Sequence, residues 1–203
     1  MGTTADKFKN GIKTEQEYVP EIDKVKMTVG KDSSLDSYTD VIYSKVKLFK
    51  DNNLVYDNVA KDLSKGHEIN DVELGDYRIE IDYSSLDTST IDSNKVIKNV
   101  AVRANADDVI SDVHLDRNSA GDGNYTITLS WKLNHKLATG LTLFMSDGSK
   151  TFSFENALNY DSYSPPFYFS KDEKVTCWFQ MTSRYVNFGN GTTGEVFRDT
   201  FTV

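Results

Sequence analysis

The chain has 203 residues, of which 38% are hydrophobic, 27% charged and 12% aromatic. This composition is too rich in apolar and aromatic residues for a disordered chain and predicts a packed core. The formal net charge is −8, and no basic patch emerges along the sequence, so we expect no nucleic-acid partner. No apolar stretch approaches the ~20 residues of a membrane-spanning helix, so we expect no membrane insertion.

The amino-terminal residues are polar and show no clear hydrophobic period. We therefore predict that residues 1–23 form an N-terminal arm or extension, mobile or ordered by a partner. They also lack the apolar segment of a secretion signal, which fits either a protein made in the cytoplasm or a piece of a secreted protein whose signal has been removed. A second composition change, at the polar run Ala104–Asp108, predicts a boundary between two domains, 24–104 and 105–203.

Strands dominate the rest of the chain. Apolar and polar residues alternate without interruption in Tyr77–Tyr83 and Tyr125–Leu133, the period of a half-buried strand. Helical periodicity is weak, and turn-forming residues separate the strands, so the fold class is predicted to be all-β, as a sandwich or barrel. Weaker alternation predicts strands at 24–29, 41–49, 54–56, 95–103, 109–115, 141–145, 150–154, 166–169, 175–182 and 195–203.

Two segments resemble known β-sandwich modules. Leu74–Ile81 resembles the Leu-x-Gly-x-Tyr pattern of bacterial and phage immunoglobulin-like domains, in which the Tyr anchors a corner by bonding upstream backbone. Ile127–Lys132 is similar to an early fibronectin type III strand with a core Trp, and 175–181 with 195–203 resembles that fold's final hairpin. The resemblance implies two tandem immunoglobulin-like β-sandwich domains. The second departs from it in lacking proline in these strands.

The residues that bind metals and cofactors are sparse. Cys177 is the single cysteine, and the three histidines are widely spaced, so we predict no cofactor and no Cys- or His-based metal site. Cys177 alternates with Val175 and Phe179, which predicts a buried, unreactive core thiol.

Two loops invite a catalytic or metal interpretation, and both are predicted to be hairpin turns. In 116–123, several oxygens match a calcium loop, but Ala120 and Ile127 stand where ligands are needed. A calcium site formed by several loops together is an alternative that the sequence leaves open. Ser146–Ser149 lacks the flanking glycines of a serine nucleophile and is predicted to connect two strands.

Aromatic residues supply the candidate binding site. Flat rings with polar neighbours suit a glycan or a protein partner, and the favoured alternative is that Phe167, Phe169 and Phe188 fill the core while Tyr163 and Tyr185 cover its edge. The candidate contact residues are Tyr160, Tyr163, Tyr168, Tyr185 and Asn187.

We therefore predict a protein that is not an enzyme, because no catalytic constellation is evident. The leading hypothesis is a structural or adhesion protein of a bacteriophage virion (capsid decoration, tail or fibre), made in the host cytoplasm. It would dock through one module or the arm, and β-strand addition is one route. The alternative is a carbohydrate-binding or adhesion module at the bacterial cell surface. The partner is thus a protein of the assembly or a glycan. Exposed strand edges would also allow copies of the chain to pair into oligomers.

Overall fold

The computed structural model describes residues 9–36, 41–60, 63–85, 95–189 and 191–203. The all-β prediction is confirmed, because the described chain forms several antiparallel sheets and only short helical turns. The chain divides into two compact units, Met1–Arg103 and Ala104–Val203, and the division falls beside the boundary expected from sequence. In the described part of the chain, no helix is long and apolar enough to cross a membrane.

In its described residues, unit 1 contains seven strands in two sheets. The sheets have the orders β1-β2-β5 and β4-β3-β6-β7. Each sheet contributes buried aliphatic side chains, such as Val25 and Met27 from one and Leu48 and Ile81 from the other, as expected for a β-sandwich. The strands are β1 (Ile12–Val19), β2 (Lys24–Lys31), β3 (Val41–Lys50), β4 (Asn53–Val59), β5 (His67–Val72), β6 (Gly75–Ser85) and β7 (Lys95–Val102).

Strand β1 corrects the prediction that residues 1–23 form an arm, since Ile12–Val19 pairs along its whole length with β2. The strand was missed because two of its inward positions are polar, Thr14 and Gln16, between buried Ile12 and Tyr18. Gln16 compensates by bonding unit 1 backbone, donating to Ala101 O at 2.8 Å and accepting from Arg103 N at 3.1 Å. Residues 1–8 of the predicted arm lie outside the described residues.

Tyr77 makes the corner contact that the sequence resemblance implies. Its hydroxyl donates to the carbonyl oxygen of Glu73 at 2.9 Å, four residues upstream, and its ring is buried. Burial raises the pKa of this hydroxyl above its usual value, so the phenol stays protonated and keeps donating at neutral pH. The bond ties the start of β6 to the segment that follows β5.

Unit 2 repeats the same strand order. Two short strands, β8 (Ala104–Asn105) and β16 (Val186–Asn187), pair in parallel beside the main sheets. In the first main sheet, β10 is central: β9 pairs with one of its edges, and the short strands β13 and β14 pair with the other. The second main sheet has the order β12-β11-β15-β17. The strands are β9 (Ile110–Gly121), β10 (Asn124–Leu133), β11 (Gly140–Ser146), β12 (Thr151–Phe154), β13 (Ser162–Tyr163), β14 (Phe169–Ser170), β15 (Lys174–Thr182) and β17 (Thr193–Thr202).

The core of unit 2 centres on two aromatic rings from opposite sheets. Trp131 of β10 and Phe179 of β15 meet edge to face, with ring centroids 5.0 Å apart. The predicted strand at 166–169 shrinks to Phe169–Ser170, because Pro165 and Pro166 just before it lack the N–H groups that a sheet ladder needs.

Each interpreted segment contains a hairpin turn, as predicted, but residues 116–121 of the first belong to strand β9. Asp122 and Gly123 both adopt positive φ, 53° and 76°, between the paired residues Gly121 and Asn124, the conformation of a two-residue type I′ turn. In the second turn, Asp147 Oδ1 accepts from the backbone N–H groups of Ser149 at 2.8 Å and Lys150 at 2.7 Å. These bonds hold the pKa of the Asp147 carboxyl below its usual value.

Cys177 is buried, as predicted. Burial first, and then the charge of Asp199, raises the pKa of its thiol to about 12. Since the thiolate is the reactive species, we expect native protein to resist Ellman's reagent and to release one thiol per chain in guanidinium. Stoichiometric labelling of the native protein within seconds would contradict this placement.

Candidate functional site

A groove of about 770 Å³ opens on unit 2, within the range of roughly 300 to 1,000 Å³ that small-ligand sites occupy. One wall comes from the first residues of β9 and the last residues of β10. The other wall is the segment 159–162, at the start of β13. We call this site the Tyr160 groove; its lining residues are Asp112, His114, Ser130, Trp131, Lys132, Leu133, His135, Asn159, Tyr160, Asp161 and Ser162.

Strand pairing brings the walls together. Ser130 of β10 lies opposite His114 on one side and opposite Ser162 on the other. Beyond this row, the backbone N–H of Trp131 donates to Asp161 O at 2.9 Å. The polar side chains of the lining therefore sit on adjacent strands about 4.8 Å apart, a spacing set by backbone hydrogen bonds.

One exposed ion pair lies in the groove. Lys132 Nζ donates to Asp112 Oδ2 at 2.6 Å. This bond lowers the pKa of the Asp112 carboxyl and raises the pKa of Lys132, so both groups are charged at neutral pH. His114 adds a ring nitrogen 3.5 Å from Asp116. The groove thus offers ionised acceptors and donors close to neutral hydroxyl groups.

Tyr160 gives the groove an aromatic wall. Its side chain is 53% exposed, and its ring packs edge to face on Phe154, with centroids 5.1 Å apart. Tyr163 stacks on the same Phe154 ring at 4.3 Å. Phe154 therefore joins two of the five predicted contact residues and holds Tyr160 against β12.

Trp131 borders the groove, but its ring lies on the opposite, buried side of β10. The residue is 3% exposed, and its indole Nε1 has no hydrogen-bond partner in the described part of the chain. A buried N–H without a partner costs about 1 to 3 kcal/mol. The ring packs on Phe179 in the core, so this donor does not face the groove.

Four of the five predicted contact residues lie outside the groove lining: Tyr163, Tyr168, Tyr185 and Asn187. Tyr168 is 66% exposed in the segment between β13 and β14. The guanidinium group of Arg184 lies over the ring of Tyr185, 4.9 Å from its centroid. Asn187 lies on β16 and accepts a hydrogen bond from Gly189 N at 3.0 Å. Their role in binding stays a prediction.

The favoured packing alternative holds for part of the aromatic set. Phe169 is buried, whereas Phe167 and Phe188 are half-buried. Phe167 contacts Phe152 with centroids 4.1 Å apart, so it packs against β12. Tyr163 is half-buried on Phe154, as the alternative expects, whereas Tyr160 keeps much of its ring in solvent.

Most of the groove was missed from sequence. Asn159 and Asp161 stood beside the chosen tyrosines, but their hydrogen-bonding groups were not selected. Asp112, His114 and Ser130 gave no local signal, because only the β9–β10 register puts them in one place. In the described ranges, no three His, Cys, Asp or Glu side chains cluster as a metal ion requires.

A scan against protein-family models found no match to this chain, and a search of curated proteins found no relative. Function must therefore be argued from the residues of the site.

Proposed function

We propose that the chain is a non-enzymatic binding protein made of two immunoglobulin-like β-sandwich modules, and that unit 2 binds carbohydrate in the Tyr160 groove. The observation that carries the proposal is the supported, half-exposed Tyr160 ring beside the Ser130 and Ser162 hydroxyls and the Asp161 carboxylate. A sugar ring has apolar C–H faces that pack on an aromatic ring. Its hydroxyls donate to carboxylates and exchange hydrogen bonds with serine.

The immunoglobulin-like architecture rests on the strand order shared by both units and on the Tyr77–Glu73 bond. Such sandwiches place loops and strand ends around a rigid core, and many bind ligands there. The fold alone does not select a ligand, so the groove supplies that part of the proposal.

The ionisation of Asp112 supports binding over catalysis. A general acid needs a carboxyl whose pKa is raised toward neutrality. Lys132 instead lowers the pKa of Asp112, so this carboxyl is an acceptor and not a proton donor at neutral pH.

The bacteriophage virion role and its location in the virion stay predictions, as does the alternative location at the bacterial cell surface. Surface carbohydrate is a ligand that suits both a virion protein that adheres to its host and a bacterial adhesion module. The Tyr160 groove serves either setting, and the same binding experiment applies to both.

The test is isothermal titration calorimetry of the full chain with cellohexaose, xylohexaose and mannohexaose. We expect binding to at least one, weakened about tenfold by Tyr160→Ala, which equals about 1.4 kcal/mol. Leu54→Ala is the control, because it removes an apolar side chain of similar exposure, 52%, in unit 1 and outside the proposed site. Equal affinities for wild type and Tyr160→Ala would contradict the proposed site.

A further inference from the structure

The outer face of the sheet β12-β11-β15-β17 is nearly free of charge. Eleven of its side chains form three rows across the strands, set by the strand register. Beyond these rows, the face ends with Lys174 opposite Thr202 on one side and Thr182 opposite Thr193 on the other. We call this surface the hydroxyl face. Its rows are Ser153–Phe144–Trp178–Arg198, Thr151–Ser146–Thr176–Thr200 and Thr142–Gln180–Glu195.

Only two of these eleven residues, Arg198 and Glu195, are charged. They neutralise each other through two bonds, from Arg198 Nε at 3.0 Å and Nη2 at 2.9 Å to the two carboxylate oxygens. Six of the other nine carry a hydroxyl group, which both donates and accepts hydrogen bonds.

The corresponding sheet of unit 1 provides an internal comparison, since it has the same strand order. In three rows of its outer face, seven of the twelve residues are charged. Its rows are Val59–Lys45–Asp82–Lys95, Asp57–Lys47–Glu80–Ile97 and Leu54–Phe49–Arg78–Asn99. The outer sheet face of unit 1 therefore consists mainly of charged side chains, and the hydroxyl face of unit 2 differs from it.

An aromatic pair lies at the centre of the hydroxyl face. Phe144 stacks on Trp178 with centroids 5.3 Å apart and planes within 8°, and Arg198 covers the opposite side of the indole at 4.5 Å. Protein interfaces concentrate several aromatic anchors in an apolar centre. Here one pair is surrounded by hydroxyls, which matches a hydroxylated, uncharged partner better.

The hydroxyl face continues toward the Tyr160 groove through β12. Ser153 lies opposite Phe144 on the face, and the next residue, Phe154, contacts Tyr160. Successive strand residues point to opposite faces of a sheet, so an extended ligand contacts both surfaces by passing around β12, which is the edge strand of this sheet.

We propose that the ligand of unit 2 is a neutral polysaccharide chain, which contacts the hydroxyl face as well as the Tyr160 groove. This inference rests on the proposed carbohydrate binding and adds the class of ligand. A neutral polymer satisfies the many hydroxyls of the face with its own, whereas an ionic polymer finds in the three rows only Arg198 and Glu195, which pair with each other.

The test is affinity electrophoresis in native gels cast with hydroxyethyl cellulose, galactomannan or dextran. We expect at least one polymer to retard the wild-type chain. The double substitution Ser153→Arg with Gln180→Arg lays two long side chains over the face, at exposed strand positions. We expect it to weaken retardation at least tenfold.

The matched control is Ser119→Arg with Ala120→Arg, at exposed positions of β9. It makes the same change in net charge and should be retarded like wild type. Equal retardation of the two double variants would overturn the inference, and so would a wild-type chain that no polymer retards. The calorimetric titrations with hexasaccharides test binding in the Tyr160 groove independently of these gels.

Two further results separate the alternatives. If Tyr160→Ala is retarded like wild type while the face variant is not, the face is the binding surface and the proposed groove fails. If the wild-type chain is a dimer in solution and Ser153→Arg with Gln180→Arg is a monomer, the face is a protein contact, which overturns the inference.

Discussion

Phe179→Ala is expected to destabilise unit 2 by about 3 to 5 kcal/mol. Phe179 has no exposed surface and is the largest of the fully buried side chains in the described residues. Its ring contacts Trp131 at 5.0 Å and Phe197 at 6.2 Å between centroids. Its removal leaves a cavity between the two sheets that neighbouring strands cannot close.

Tryptophan fluorescence during urea unfolding measures this loss, because both tryptophans of the chain, Trp131 and Trp178, lie in unit 2. Phe201→Ala is the control, since Phe201 on the edge strand β17 is only half-buried and should cost less. A Phe179→Ala protein within about 1 kcal/mol of wild type would show that this ring does not anchor the core.

Gly11→Ala is expected to destabilise unit 1 by about 1 to 3 kcal/mol through overpacking. A Cβ at Gly11 would lie 2.5 Å from Leu35 Cγ and 2.8 Å from both of its methyl carbons. Leu35 is 1% exposed, so it has no free space into which it can move. The Gly11 carbonyl also accepts from Asp32 N at 2.9 Å, which fixes the backbone.

Hydrogen-exchange mass spectrometry measures the effect, because peptides from residues 9–36 report on unit 1 alone. We expect faster exchange in β1 and β2. Gly140→Ala is the matched control, since a Cβ there meets nothing within 4 Å and should leave exchange unchanged. Unchanged protection in Gly11→Ala would mean that the packing of Gly11 on Leu35 is loose.

The strands that sequence predicted well are those whose alternation is complete, such as Tyr77–Tyr83 and Tyr125–Leu133. Strand β1 was not predicted because Gln16 faces inward, where its side chain forms hydrogen bonds with the distant backbone of Ala101 and Arg103. No local pattern distinguishes such a glutamine from one on a solvated arm, because its partners are more than 80 residues away.

The candidate site was predictable only in part, for a similar reason. Tyr160 and Tyr163 were identifiable from their aromatic run, and Phe154 brings them together. The opposite wall depends on the register that sets His114 beside Ser130. A slip of one residue would turn these side chains to the other face of the sheet, and sequence alone does not determine that register.

Two edge strands carry features that oppose β-strand addition, one of the docking routes expected from sequence. The register between β3 and β4 shifts at Leu48 and Phe49, which makes a bulge near exposed Val55. On β17, Asp199 lies opposite buried Cys177, an inward-facing charge. Bulges and inward charges block pairing with another chain, so we expect partners to bind grooves and sheet faces.

The central claim is that unit 2 binds carbohydrate in the Tyr160 groove, and amide chemical-shift mapping tests it most directly. The isotope-labelled full chain is titrated with the hexasaccharide that binds in calorimetry. We predict the largest shifts at Ser130, Tyr160, Asp161 and Ser162, with unit 1 amides unchanged. Shifts confined to unit 1, or saturation with none of these amides affected, would contradict the account.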